Sequence, residues 1–491
     1  MSVAVPDGSG SATRLRAVYG RMGATCRDMA LGVAVQQDEA PDRETTRVDA
    51  LLSLIGGLHG APFTSAEPAA LARLRLGKDD LAARLDPAAP APGWWAADTG
   101  GLDIAGADLS EADLEETDLS GANLRKATLK GALGRSARFD GANLEEADLS
   151  GADLSGARFG RIAAGQASFC DAMLEDADFG GATMRFAKLN RALLDGARFV
   201  EADLWGADVS GADADYTVFR GARLDEANFS DVNLTHADFE GASLKKTRLV
   251  GSRLRGANLS GAKLDGADLS EADLADTTLV RLDLSTCRLR HARFAGAWLE
   301  GTRFRVEQLG GAVGEEIAGE YEAAQASYLA LERNLKSIGS HDGASWAYKR
   351  QRRMGRRHAG SQAREAWEGR DGRGLLRFGY RWLADRFVEW LCDYGESLSR
   401  IARAFAIAIG LFAAGYWLTG GLLLEGPEHR PTYNVIDLVS YSALNMLTAN
   451  PPEIGLKPMG RVTNLLVGIE GALGIVLLGL FGFVLGNRLR R

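Results

Sequence analysis

Residues 142–159 read ANLEEADLSGADLSGARF, with a large apolar residue at every fifth place: Leu144, Leu149, Leu154 and Phe159. Followed outward in both directions, the same register runs from Ile104 to Phe304, 41 slots without an insertion. Only Gly134, Ala164 and Ala214 depart from Leu, Phe, Ile, Val or Met at the central place. The residue two before each centre is mostly Ala, as at Ala107, Ala112, Ala122, Ala142 and Ala152, and the residue one before is often Asp or Asn. This is repetition of the solenoid kind, in which each unit buries its apolar side only by stacking on the next.

The A-[DN]-L-x-x run resembles the pentapeptide-repeat family. The resemblance implies a right-handed quadrilateral β-helix with four pentapeptides per coil, the central Leu or Phe and the preceding Ala pointing inward. Ten or so coils at the usual strand spacing make a rod about 50 Å long. The many Asp residues read as a solvated or turn-stabilising surface. DNA mimicry is the sharper alternative, since some members of that family are acidic rods that occupy a DNA-binding groove. The interleaved Arg248, Arg253, Arg255, Arg288, Arg290 and Arg293 weigh against it.

Outside the repeats, the chain of 491 residues should hold several domains. Its net charge of −8 leaves no nucleic-acid footprint, so no nucleic acid is expected as partner. Cys26, Cys170, Cys287 and Cys392 are scattered and read as reduced, buried small residues. The histidines are equally dispersed, so neither a metal nor a cofactor is expected. No nucleophile–base arrangement or phosphate loop is present, which excludes catalytic residues and an enzyme. The start of the chain, Met1 to Arg16, has no apolar core of a signal peptide. Residues 1–98 read as a helical, Ala/Leu-rich region, and residues 99–305 as the β-helix.

After the rod, residues 306–373 read as a helical hairpin broken at Gly339–Gly343, resembling a single tetratricopeptide unit. Its second helix carries a basic run, Lys349, Arg350, Arg352, Arg353, Arg356 and Arg357. That run is expected either as a solvated face or as a contact with anionic lipid or an acidic partner surface. Residues 374–400 read as an amphipathic interfacial helix. Leu376, Tyr380, Leu383, Phe387, Trp390, Leu391 and Tyr394 fall at 3/4 spacing, with Arg377, Arg381, Asp385, Arg386 and Glu389 off the stripe. It lies either in the inner headgroup layer or against the hairpin.

Residues 401–491 hold two apolar spans. Ala404–Leu424 carries no charge and Val462–Leu485 carries one, Glu470. Each is long enough to cross a hydrocarbon core of about 30 Å. Asn434–Leu447 between them is too short to span and suits a re-entrant helix. Arg400 and Arg403 before the first span, and Arg488, Arg490 and Arg491 after the second, put both termini in the cytoplasm. The expected place is the bacterial inner (plasma) membrane, crossed more than once.

The stretch SALNMLTANPPEIGLKPMG from Ser442 resembles the pore of two-transmembrane, potassium-channel-like proteins. The resemblance implies a pore helix with Asp437, Ser442 and Asn445, a filter of Thr448, Ala449, Asn450, Pro451, Pro452 and Glu453, and an inner helix with Glu470 and a hinge at Gly479 or Gly482. It implies four subunits around inorganic ions. The filter departs from the family: both glycines and the tyrosine are gone, so a wider cation-favouring mouth ringed by Glu453 is expected. Glycines 468, 471, 479, 482 and 486 share an arc of about 80° of the second span and suit close helix packing. Glu470 lies opposite, with Asn445 or the filter backbone as its expected partner. The expected fold is therefore mixed: a β-helix, a helical connector and a two-helix transmembrane pore domain. The expected function is a homotetrameric, cation-permeable channel with a non-standard filter, gated or scaffolded by the cytosolic rod, in contact with membrane lipids. A non-conducting membrane-anchored interaction protein, or a DNA-mimic rod, is the alternative.

Overall fold

The protein was analysed as a computed structural model, which describes residues 95–96, 101–102, 104–424, 430–448 and 454–489. The expected helical region before residue 95 lies outside the described residues. Trp95–Ala96 (β1) pairs antiparallel with Gly101–Leu102 (β2).

From Ile104 onward each coil takes twenty residues. Parallel bridges join Asp108 to Thr128, Thr128 to Asp148 and Asp148 to Ser168, each partner twenty positions on. Four pentapeptides therefore make one turn of the rod. The reason lies in the turns. In residues 109–112, Ala112 N–H donates to Leu109 C=O at 3.2 Å, and Glu111 has φ of 59°. A tight turn with positive φ at its third residue is of type II, and Gly fits that place best. The repeat accordingly puts Gly121, Gly141 and Gly151 there, although Lys126, Phe186 and Arg191 also hold the left-handed conformation. A turn every five residues bends the chain into a square, and stacking squares satisfy the backbone: Leu109 N–H donates to Thr128 C=O at 2.7 Å, and Thr128 N–H to Ala107 C=O at 2.9 Å.

Centres and preceding alanines point inward and are buried along the rod. One wall of the interior is a ladder of phenylalanines, one per coil: Phe139, Phe159, Phe179, Phe199, Phe219 and Phe239 stack with ring centroids 4.6–5.2 Å apart. At the exceptional Gly134, an added Cβ would come within 2.9 Å of Leu154 Cδ2, so the larger neighbour fills the missing volume. Where Thr replaces the inward Ala, its hydroxyl finds a carbonyl, as Thr217 Oγ1 does on Leu194 at 2.9 Å.

Past the rod the chain is helical. A short α1, Gly314–Ile317, is followed by α2, Tyr321–Ser337, and α3, His341–Glu368. The break between α2 and α3 is shorter than expected, and Gly343 lies inside α3. Then come α4, Gly372–Cys392, α5, Leu398–Thr419, α6, Val435–Thr448, and α7, Arg461–Leu489. Helices α5 and α7 are long and apolar enough to cross a membrane. The half-length α6 packs against both, and a small antiparallel pair, Leu422–Leu424 (β3) with Leu456–Pro458 (β4), ties their ends together.

Candidate functional site

The last coil of a β-helix presents unpaired backbone groups that invite other strands. Here side chains of the helical connector cover them. Glu315 Oε1 accepts from Phe294 N–H at 3.0 Å and Ala295 N–H at 3.1 Å, and Ser327 Oγ donates to the same oxygen. Asn334 on α2 bonds Thr302 twice, accepting its N–H at 3.2 Å and donating to its carbonyl at 2.8 Å. Gln308 donates to the carbonyls of Leu284 and Cys287 at 2.8 and 2.6 Å. The connector is thus built onto the rod rather than hung from it. Burial pushes the Glu315 carboxyl above its usual range, against the donors that favour its charge.

The basic run of α3 continues this connection. Arg350 donates to both oxygens of Glu316, beside the rod cap, at 2.8 and 3.0 Å, and Arg357 reaches Glu316 at 3.1 Å. Tyr328 Oη donates to Glu316 at 2.6 Å. On the opposite side Arg352 pairs with Asp385 at 2.9 Å, Arg353 with Glu389 at 2.9 Å, Arg356 with Glu389, and Lys349 with Asp393 at 4.0 Å. This run, expected as a solvated face or as a contact with anionic lipid or an acidic partner surface, meets carboxylates beside the rod cap, on α4 and in the turn after it. Arg400, at the start of α5, donates to Glu389 C=O at 2.6 Å and lies 3.5 Å from Asp393. A continuous set of contacts thus runs from the last coil to the first apolar helix.

Among the apolar helices one buried polar cluster stands out. Glu470 on α7 is fully buried and accepts from Tyr416 Oη on α5 at 2.6 Å, from Asn445 Nδ2 on α6 at 2.7 Å, and from Ser442 Oγ. Asn445 Nδ2 also donates to Val467 C=O at 3.1 Å, and Ser442 Oγ to Ile409 C=O at 3.1 Å. Three helices meet at one carboxylate. Tyr416 was missing from the sequence reading. A tyrosine inside an uncharged span is the signal, because its hydroxyl needs a partner when buried.

The other expected residues are apart from this cluster. Asp437, on the first turn of α6, accepts from Thr432 Oγ1 at 3.1 Å. Thr448 ends α6 exposed, with its hydroxyl on Leu444 C=O at 2.7 Å. Ala449, Asn450, Pro451, Pro452 and Glu453 lie outside the described residues. A Cβ added at Gly468, Gly479 or Gly482 would meet nothing within 4 Å. Gly471, on the expected stripe, is buried, and so is Gly474, off it, where a Cβ would collide with Met446 C=O. Among the described residues no group of three or more His, Cys, Asp or Glu could hold a metal ion.

The family model described as Pentapeptide repeats matches eight copies between residues 102 and 305. No curated protein matches the chain. Among solved structures, HetL, a pentapeptide repeat protein involved in heterocyst differentiation regulation from the cyanobacterium Nostoc sp. strain PCC 7120, is 30% identical over 39% of this chain and 84% of its own, with a TM-score of 0.26. A second pentapeptide repeat protein from Nostoc is 40% identical over 18% of this chain and 69% of its own, with a TM-score of 0.17. QnrB1, a plasmid-mediated fluoroquinolone resistance protein, is 19% identical over 44% of this chain and 96% of its own, with a TM-score of 0.24. Two expectations are corrected here. The ion-channel, potassium-channel-like description is corrected to that of a pentapeptide-repeat protein, which the family model matches between residues 102 and 305. The expectation that nucleic acid is excluded as a partner is withdrawn as well, because net charge alone carried it.

Proposed function

We propose that this chain, which belongs to the pentapeptide-repeat family through residues 102–305, is a membrane-anchored interaction protein whose rod presents a rigid binding surface at a fixed place above the bilayer. The observation that carries the reading is the unbroken contact path: last coil to Glu315 and Asn334, Glu316 to α3, α3 to Glu389 and Asp393, and these to Arg400. A flexible tether needs no such path, whereas a positioned scaffold does. Its role is binding and not catalysis.

In this reading α5 and α7 cross the cell membrane, with the rod on the cytoplasmic side as the positive-inside rule directs from Arg400 and Arg403. The Glu470 cluster locks the half-length α6 between the two spans. Hydrogen bonds there are worth making, because an unpaired polar group in hydrocarbon is costly.

A second reading takes the rod as a mimic of nucleic acid toward a basic partner. It is favoured by one column, Glu175, Asp195 and Asp215, stacked one coil apart, in which Asp195 has its carboxyl pushed up to about 6 by burial and by Asp213, Asp215 and Glu175. Elsewhere arginines interleave with the acids, as Arg138 does with Asp118 at 3.4 Å and Arg220 with Asp238 at 2.5 Å.

Membrane extraction tests the leading reading. The full chain should remain with membranes through alkaline and high-salt washes and leave only with detergent, while a chain ending at residue 397 should be released. A photo-crosslinking residue placed at exposed Tyr216 or Trp298 should capture a discrete partner. A full chain recovered without detergent sinks the anchor. Ion flux through vesicles reconstituted with the pure protein sinks the passive-scaffold role.

A further inference from the structure

We infer that α4 lies on the membrane surface, its outward face seated among anionic lipid headgroups; the inference rests on the anchorage proposed above and adds a lipid contact outside the spans. Helix α4 has its amphipathic faces reversed relative to a helix of a water-soluble surface. Leu376, Tyr380, Leu383, Phe387 and Trp390 are exposed, Leu376 and Tyr380 by 77% and 76%. At about 100° per residue they share an arc of about 80°. The opposite side holds Asp385 and Glu389, and these are bound to α3 by Arg352, Arg353 and Arg356. The polar side therefore faces protein and the apolar side faces outward, which in water leaves a large continuous apolar patch.

The flanks of that patch are cationic. Arg373 and Arg377 line one shoulder and Arg386 the other, with Arg381 further round from the patch, all exposed. Among the described residues none of the four guanidinium groups is paired with a carboxylate; Arg377 lies over the Phe378 ring at 5.8 Å and Arg386 over the Trp382 ring at 5.6 Å. An apolar centre with Tyr and Trp, between arginine shoulders, matches the boundary of an anionic bilayer.

Continuity decides for lipid over another protein. A short turn, Asp393–Gly395, joins α4 to α5, which begins at Leu398. Arg400 and Arg403 on α5 donate to the Glu389 and Trp390 carbonyls at 2.6 and 3.2 Å. The end of α4 is thus held at the level where α5 enters the bilayer. The α3 cations are engaged within the protein, so the α4 arginines are the ones left for headgroups.

The test uses the full chain with Cys26→Ser and Cys170→Ser, a Leu383→Cys variant carrying an environment-sensitive dye, and vesicles with or without phosphatidylglycerol. Leu411→Cys, exposed on α5, reports whether that span is in lipid; Arg364→Cys, exposed on α3, is the aqueous control. At 383 and at 411 the dye should shift to the blue and be quenched by a lipid-borne quencher, and at 364 it should do neither. Replacing Arg373, Arg377 and Arg381 by Gln should abolish the gain from phosphatidylglycerol at 383 and leave 411 unchanged. Quenching at 411 without quenching at 383 overturns the inference and leaves anchorage standing. A blue shift at 383 without lipid quenching overturns it in favour of a protein cover, such as a second copy. A 383 signal indifferent to phosphatidylglycerol overturns the headgroup contact. Loss of quenching at both sites removes the anchorage itself, and the inference with it.

Discussion

Tyr416 Oη lies 2.6 Å from Glu470 Oε2 across 54 positions of sequence, and this pair fastens α5 to α7 through the same carboxylate that holds α6. Removing the acceptor is worse than removing one donor. Glu470→Ala leaves the Tyr416, Ser442 and Asn445 donors without their shared partner and should cost about 3 kcal/mol or more. Tyr416→Phe loses one bond and should cost about 1 kcal/mol. Thermal unfolding of the detergent-solubilised protein measures both. Equal losses would mean that the carboxylate is not the centre of the cluster.

At the other end of the connector, Glu315→Ala removes an acceptor shared by two N–H groups of the last coil, leaving Phe294 with Ser327 Oγ alone, at 3.1 Å, and Ala295 without the carboxylate. Hydrogen exchange at these two amides should quicken strongly while amides of the middle coils keep their protection, since each coil touches only its neighbours. Glu315→Gln keeps an acceptor oxygen and should spare most of that protection. The carboxyl is raised above its ordinary 4.5, so the folded state holds the proton more tightly than the unfolded chain. The associated stability is full below pH 4.5 and is lost as pH rises through the folded value. Glu315→Gln should therefore gain on the parent protein between pH 4.5 and neutrality.

Asp195 gives a second pH signature with the same sign. Its carboxyl titrates at about 6 instead of 3.8, because burial and the neighbouring Asp213, Asp215 and Glu175 oppose its charge. The stability tied to its proton is present below pH 3.8 and lost as pH rises through about 6. Asp195→Asn should thus raise the melting temperature at pH 7 and have no effect near pH 3.5. The side chain is partly exposed, so the gain should stay within about 1 kcal/mol. Melting curves of the two proteins that stay parallel across that range would refute the acidic column as a source of strain.

These features show how far the sequence could be read. The five-residue period carries the rod because every unit repeats the same local decision: an inward Ala, an inward Leu or Phe, and a turn. The stacking of Phe159 on Phe179 follows once twenty residues close a coil. The partners of the α3 cations were not legible, because Arg353 and Glu389 stand 36 positions apart and no local pattern links them. Exposed charge and paired charge look alike along a helix. Asn445 and Glu470 were singled out since polar groups in apolar helices need partners, but Tyr416 stands 54 positions from Glu470 and no local pattern links them.

Between α3 and α4, Arg353 and Arg356 share Glu389, whose side chain is largely buried. Glu389→Ala leaves Arg356 without its carboxylate and Arg353 with Asp393 alone, at 3.5 Å, and should cost about 3 kcal/mol. Arg353→Ala alone leaves Arg356 on the carboxylate and should cost less. The double variant should be milder than the sum of the singles, because the second change removes a charge that the first left unpaired. Additive losses in a double-mutant cycle would show that the helices are held by apolar packing alone.

The phenylalanine ladder lines one wall of the rod, and its interruption should be felt locally. Phe179 stacks between Phe159 at 4.6 Å and Phe199 at 4.7 Å. Phe179→Ala opens a void that backbone bridges on every side prevent from collapsing, at a cost of about 3–5 kcal/mol. Phe179→Leu keeps an apolar filler of the kind other walls use and should cost about half as much. Because the chain is quasi-one-dimensional there, hydrogen exchange should rise in the coils around residue 179 and stay unchanged at Phe294 and in α2. A loss of protection that spreads to the helical connector would mean that rod and connector unfold as one unit, and that the fixed path from rod to span extends through the whole β-helix.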